Sequence, residues 1–287
     1  MRYKAIEQHS VEYPVRLLCH VLDVSSSGYY AWCRRPASRR SLENKRLVSA
    51  MRSIHQTIDR GYGSPRIHAE LLSQGYICGL NRVARLMHHE GLIARTTVRF
   101  RSLTKAGRRE PAAPNILNRQ FDVTEPNRVW ASDITYIPTG EGHLYLAVVL
   151  DLHSRQVVGW AMTSRLNSDL VTAALDQALR RRPVQPGLLH HSDRDGLYIS
   201  AAYKHLLAEN DMISSMSRKG NCYDNACVES FFGSLKNELI AFERFSCRAE
   251  AKQRIFEWIE VFYNRIRRHS TLGYISPVEF EEKNSYA

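Results

Sequence analysis

Trp130-Ala-Ser-Asp133-Ile-Thr-Tyr136 lies in a run, residues 129–137, whose residue types predict a β-strand with a carboxylate at its middle. Two more acidic residues stand in equally dense patches of the C-terminal half. Asp193 closes His190-His-Ser-Asp193, and Glu229 sits in Asn221-Cys-Tyr-Asp-Asn-Ala-Cys-Val-Glu229-Ser-Phe-Phe, with thirty-five residues separating it from Asp193. Outward from residue 133, Gly140-Glu-Gly142 reads as a hairpin turn, with strands over 144–150 and 156–160. A helix over 169–181 follows, capped by Ser168, then a short strand over 188–191, a helix over 201–210 and a strand over 213–215. Two long helices, 225–239 and 249–267, finish the chain, the second with Ile255, Ile259, Phe262 and Ile266 as one apolar stripe. Three antiparallel strands followed by parallel strands alternating with helices predict an α/β domain. Its expected core is a mixed five-stranded sheet flanked by helices, of RNase H-like type.

The carboxylates are placed for metal chemistry. Asp133 lies within the first strand, Asp193 just after the fourth, and Glu229 in the first turns of a helix. Mg²⁺ is a hard octahedral ion that takes a few carboxylates, several waters and phosphate oxygens. Two such ions activate the attacking oxygen and stabilise the leaving one across a phosphodiester. The expected catalytic and metal-binding set is therefore Asp133, Asp193 and Glu229 with two Mg²⁺ ions, Mn²⁺ being able to substitute. Lys236 is seven residues after Glu229, on the same helix face, where a cation can hold a DNA phosphate. Arg218 and Lys219 form a basic loop before that helix, and residues 263–269 carry further cations. Asp151 reads as a turn residue. His190 and His191 lack further ligands at zinc spacing, so hard-ion chemistry explains the region better.

The 287 residues carry a net charge of +11, and its distribution is uneven. Residues 1–120 hold 21 Lys and Arg against 8 Asp and Glu, and residues 121–287 hold 19 against 21. The basic excess belongs to the N-terminal part, as expected of a polyanion-binding region joined to a near-neutral core. Residues 1–60 read as helical, with Val15, Leu17, Leu18, Val21 and Leu22 as an apolar face, a turn at 25–28, and Tyr29, Tyr30 and Trp32 opening a second helix. Residues 61–94 read as a helix-turn-helix-like unit. Tyr62-Gly-Ser-Pro65 starts one helix and Asn81 caps the next, whose Val83, Leu86 and Met87 face inward and Arg82 and Arg85 outward toward DNA. Residues 95–120 read as a basic linker, leaving 121–287 as the catalytic core with its C-terminal helices. No apolar run reaches membrane-spanning length, no signal peptide is expected, and the six cysteines lack paired metal spacing. A cytoplasmic chain with reduced thiols, nucleoid-associated when DNA-bound, is the expectation.

Tyr29-Tyr-Ala-Trp32, Tyr62-Gly-Ser-Pro-Arg-Ile-His68, the three carboxylate patches through Lys236, and Tyr263-Asn264, His269 and residues 272–277 together resemble one family. They are similar to bacterial insertion-sequence transposases of the OrfB type, in the DDE or retroviral-integrase superfamily, over nearly the whole chain. The resemblance implies nicking of a transposon end, then attack of the freed 3′-OH on another phosphodiester, through a circular DNA intermediate. It implies transposon-end and target DNA as partners, an upstream OrfA protein or an OrfA–OrfB fusion, and a homo-oligomer on DNA. One stretch departs from the family pattern. Where Gly, a small residue and Gln usually follow Asp193-Arg194, this chain has Asp195-Gly196-Leu197, adding a like charge beside the site. A nuclease that only hydrolyses, and a non-catalytic DNA-binding regulator, are the competing readings.

Overall fold

The computed structural model describes residues 1–95, 113–219 and 221–285. Six helices lead: α1 (Arg2–His9), α2 (Val15–Val21), α3 (Ser26–Arg34), α4 (Arg39–Thr57), α5 (Ser64–Ser73) and α6 (Leu80–His89). Strands β1 (Val129–Thr139), β2 (Gly142–Asp151) and β3 (Val157–Thr163) precede α7 (Ser168–Arg181) and β4 (Leu189–Ser192). Then come α8 (Gly196–Ile199), α9 (Ala201–Glu209), β5 (Ile213–Met216), α10 (Ala226–Leu235), α11 (Arg248–Glu257) and α12 (Pro277–Ser285).

The five strands form one sheet in the order β3-β2-β1-β4-β5. β1 pairs antiparallel with β2 and β2 with β3, whereas β4 runs parallel to β1 and β5 parallel to β4. This is the mixed five-stranded, helix-flanked sheet expected from the alternation of strand and helix signals, preceded by a helical HTH-like region. Its centre is buried on both faces, so β2 reads as an apolar run rather than an alternation. Leu146, Val148 and Leu150 pack with Phe231, Ile255 and Ile259 from the C-terminal helices. On the opposite face Ala147 and Val149 pack with Leu170, Ala174, Ala178 and Tyr203. Gly159 lets α7 lie directly on β3, because a Cβ there would sit 2.2 Å from the Ala174 carbonyl oxygen.

In the leading region Leu47, Met51, Ile67, Leu71, Val83 and Met87 unite α4, α5 and α6 in one apolar cluster. The α1–α3 unit is too small to bury everything apolar that it carries. Of the expected α2 face, Val15, Leu18 and Leu22 pack around Cys19, but Leu17 and Val21 are exposed.

Several boundaries differ from the sequence reading. Gly79, not Asn81, stands at the N-cap of α6, and Asn167, not Ser168, at that of α7. Both long C-terminal helices change winding: α10 continues as a π-helical turn, Lys236–Ile240, and α11 as another, Trp258–Tyr263. Such a turn inserts one residue into the helical repeat, which a 3.6-residue periodicity does not encode. Ile266 is accordingly exposed, outside the stripe made by Ile255 and Ile259, and Phe262 packs against both the sheet cluster and the α4–α6 cluster. Most of the basic linker, residues 96–112 with Arg99, Arg101, Lys105, Arg108 and Arg109, lies outside the described residues. Its end does not hang free: Leu117 enters the core, and the Ile116 and Leu117 backbone N–H groups donate to Ser215 Oγ. Among the described residues no helix is long and apolar enough to cross a membrane.

Candidate active site

The parallel register of β1 and β4 ends at the pair Ser132↔Ser192. The next residue on each chain is an aspartate, so Asp133 and Asp193 occupy equivalent positions where the two strands part. Side chains alternate along a strand, which puts Asp133 on the face of Ala131, the face packed against α10. Asn225 fixes α10 to this strand: its Nδ2 donates to the Ser132 carbonyl at 3.1 Å from a buried position. Glu229 comes four residues later, in the first turn of α10 and on the same helix face, with an exposed side chain. Lys236 follows two turns on, where α10 passes into its π-helical turn.

The charges of these groups act on one another. Burial, followed by the Asp193 carboxylate, pushes the Asp133 carboxyl well above its usual range. The Ile134 N–H and Lys236 oppose that rise, and Glu229 adds to it. Asp193 is pushed up to about 6, first by burial and then by the charge of Asp195, against the Asp195 N–H that it accepts at 3.0 Å. Glu229, although exposed, is raised by partial desolvation of its carboxyl. Lys236 is lowered by burial, and the attraction of Asp133 counters this. The site thus concentrates more negative charge than it neutralises. Among the described residues no three His, Cys, Asp or Glu side chains gather tightly enough to hold one ion. Asp133 and Asp193 stand at equivalent strand ends, and the charge of Glu229 bears on Asp133.

Asp195, the departure from the family pattern, has a structural task. Its Oδ1 accepts the Leu197 N–H at 3.0 Å and caps α8, so the added carboxylate closes a tight turn behind Asp193. His190 and His191 bond to hydroxyl groups. His190 Nε2 is 2.9 Å from Ser132 Oγ and 3.0 Å from the Tyr203 hydroxyl, and His191 bridges Ser215 and Ser217. Burial lowers them to about 3 and about 4, so both are neutral. Asp151 accepts the Asn127 and His153 N–H groups, as a turn residue does.

The basic residues divide into two groups. Arg218 grips the buried Asp224 with Nε at 2.9 Å and Nη2 at 2.8 Å, joined by Arg119 and by Asn115 Nδ2. Arg82 is half-buried and binds Asn44 and Glu43 of α4. Arg85 and Lys219 are exposed. Of the C-terminal cations, Arg267 is buried on Glu238, Arg268 holds Glu70 at 2.5 Å, and Arg265 is exposed. Asn264 pairs with both backbone groups of Val157 at 3.0 Å, completing the edge of β3. Asp224, Asn225, Tyr198 and the Ser132–His190–Tyr203 group were not singled out from sequence. Asp224 and Asn225 lie inside the Glu229 patch, but Arg119 and Ser132, which they also meet, are about a hundred residues away, and no local pattern announces those contacts.

The integrase core domain family model matches residues 123–222, a second integrase core domain model matches 210–277, and an HTH-like domain model matches 42–100. The chain is 42% identical over 286 residues to the transposase InsF for insertion sequence IS3A of Escherichia coli (strain K12), covering 99% of each. It is 44% identical over 266 residues to the insertion element IS600 uncharacterized 31 kDa protein of Shigella sonnei, covering 93% of this chain and 98% of that one. Among solved structures it is similar to the simian T-cell lymphotropic virus intasome in complex with PP2A regulatory subunit B56 gamma. There the identity is 14% and the TM-score 0.45, covering 79% of this chain and 73% of that one. The HTLV-2 integrase catalytic core domain in complex with magnesium (trimeric form) matches at 16% identity and TM-score 0.41, covering 54% and 96%.

Proposed function

The chain belongs to the InsF-type transposases of IS3-family insertion sequences, with an integrase core behind an HTH-like domain, and from that premise we propose that it cleaves and rejoins insertion-sequence DNA ends with divalent cations. One observation carries this reading: the common end of the β1–β4 register brings Asp133 beside Asp193, under a helix that Asn225 pins to the same strand and that presents Glu229.

The donor set suits Mg²⁺. It offers hard carboxylate oxygens, raised in pKa by burial and mutual repulsion, and a cation relieves both. Two adjacent aspartates with a third carboxylate in reach match an ion that keeps several waters and takes few protein ligands. When bound, Mg²⁺ ions, or Mn²⁺ in their place, supply Lewis acidity at the attacking and leaving oxygens of the phosphodiester. Asp133 and Asp193 would hold the cations at the strand ends. Glu229 would complete the set from α10. Lys236, drawn toward Asp133, orients a phosphate along the same helix. In cleavage, water attacks phosphorus and the bond to O3′ breaks, leaving a 3′-OH. In joining, that oxygen attacks a target phosphorus, the target's own O3′ leaves, and its proton balance is restored by the attacking hydroxyl. Lys219, Arg85 and the N-terminal basic surface track the DNA backbone, while Arg218 and Arg82 shape the elements that present them. An upstream OrfA protein and a homo-oligomer on paired ends complete the assembly.

The test is a labelled insertion-sequence-end duplex incubated with the chain and Mg²⁺. Nicked and joined products are expected, and both are lost in Asp133→Asn and Glu229→Gln with DNA binding retained. Nicks without joined products would leave a hydrolytic nuclease, and products undiminished in both variants would place the chemistry elsewhere.

A further inference from the structure

Tyr198 is buried in α8, five residues after Asp193, and its hydroxyl has no hydrogen-bond partner among the described residues. The neighbouring Tyr203, equally buried, does have one: its ring meets Tyr198 edge to face at 5.3 Å, and its hydroxyl lies 3.0 Å from His190 Nε2. Packing explains the ring of Tyr198 but not its oxygen. A buried hydroxyl with nothing to bond costs about 1–3 kcal/mol, and phenylalanine would fill the same volume without that cost. Burial, and after it the neighbouring Tyr203 and the carboxylates Asp133, Asp193 and Asp195, hold this phenol in its neutral form. The turn that leads to it is tight: the Asp195 N–H is tied to Asp193 Oδ1 and the Asp195 side chain caps α8. A neutral phenol is thus buried beside the turn that carries Asp193.

Resting on the divalent-cation reading above, we propose that Tyr198 is a positioning residue of that site, its hydroxyl donating to a carboxylate oxygen of the Asp133–Asp193 pair when the pair closes on a cation. The donor fixes which oxygen faces the ion. Outer groups that orient carboxylate ligands in this way typically change metal affinity by about 10–100-fold when removed. In the metal-free protein the two aspartates repel and the phenol is left unpaired. With the cation bound, their oxygens turn toward the charge and one becomes available to the phenol.

Mn²⁺ titration of the full chain, followed by the electron paramagnetic resonance signal of free Mn²⁺, tests this in wild type, Tyr198→Phe and Asp193→Asn. Thermal unfolding is measured with and without Mn²⁺ alongside. Tyr198→Phe is expected to bind Mn²⁺ roughly tenfold more weakly, with a metal-free melting temperature equal to or above that of wild type. Equal Mn²⁺ affinity in Tyr198→Phe and wild type would overturn the proposal. A lowered melting temperature without metal would overturn it too, because the hydroxyl would then be serving the empty fold. Identical titrations for Asp193→Asn and wild type would sink the cation reading itself, an outcome separable from the other two.

Discussion

His190 is a base held without its proton. Burial among Ser132, Tyr203 and the sheet lowers it to about 3 from an ordinary 6.5. Between those values the unfolded chain takes up a proton that the folded chain refuses, so stability falls as pH drops below about 6.5. The slope is about 1.4 kcal/mol per pH unit for one such imidazole. Asp133 and Asp193 work the other way: raised carboxyls bind protons better in the fold, so acidification toward the unfolded value near 3.8 relieves their repulsion. Comparison with one variant separates the two. His190→Gln is expected to be less stable at pH 7, yet to lose stability less steeply from pH 6.5 to 4.5 in urea unfolding. A slope equal to that of wild type would mean that His190 is charged in the fold. At this scale the sequence singles out Asp133, Asp193 and Glu229 as candidates, because each sits in a dense motif next to a strand or helix signal. It was silent on Asn225 and Tyr198, whose meaning lies in a carbonyl or a carboxylate pair that only the folded register brings near.

At the scale of elements, the π-helical turn after α10 matters most. It carries Glu238, which accepts from Arg267 at 2.7 Å and from Arg66 of α5 at 3.3 Å, while Arg267 also reaches Ser234. The helix that bears Glu229 is therefore tied through one carboxylate to the HTH-like unit and to the C-terminal turn. Arg268 adds Glu70 and Ser73, its backbone N–H donates to the Tyr62 hydroxyl, and Arg95 lies over the Phe242 ring at 4.1 Å. The Arg267 side chain is only 5% exposed, so its guanidinium has no water to turn to if Glu238 is removed. Breaking one side of such a pair costs about 3–5 kcal/mol, whereas replacing both partners with apolar residues of similar volume is often neutral. Glu238→Ala should therefore lower unfolding stability by about that amount, and the double variant Glu238→Leu with Arg267→Met should recover much of it. Equal losses in the single and double variants would mean that the ion pair is not what holds the junction. Sequence reading sees Arg267 and Arg268 only as further cations, since the Glu70 partner of Arg268, nearly two hundred residues away, leaves no local trace.

For the whole molecule, the basic N-terminal excess has to be discounted for what the fold consumes. Arg52 pairs with Glu90, Arg82 with Glu43, Arg95 with Asp59 and Arg119 with Asp224. These arginines brace helices and the core edge, and they release few counterions when DNA binds. Exposed cations such as Arg85 on α6 are different, because each phosphate they neutralise frees condensed counterions from the duplex. Binding measured from low to moderate salt on an insertion-sequence-end duplex can separate the two classes. Arg85→Gln is expected to weaken binding and to reduce the slope of log K against log salt by about one. Arg82→Gln is expected to leave that slope unchanged and to lower the melting temperature instead, because it loses the Asn44 and Glu43 bonds that join α6 to α4. If Arg82→Gln flattens the salt dependence as much as Arg85→Gln does, Arg82 leaves its partners to meet DNA. The recognition surface would then extend across both arginines of the helix.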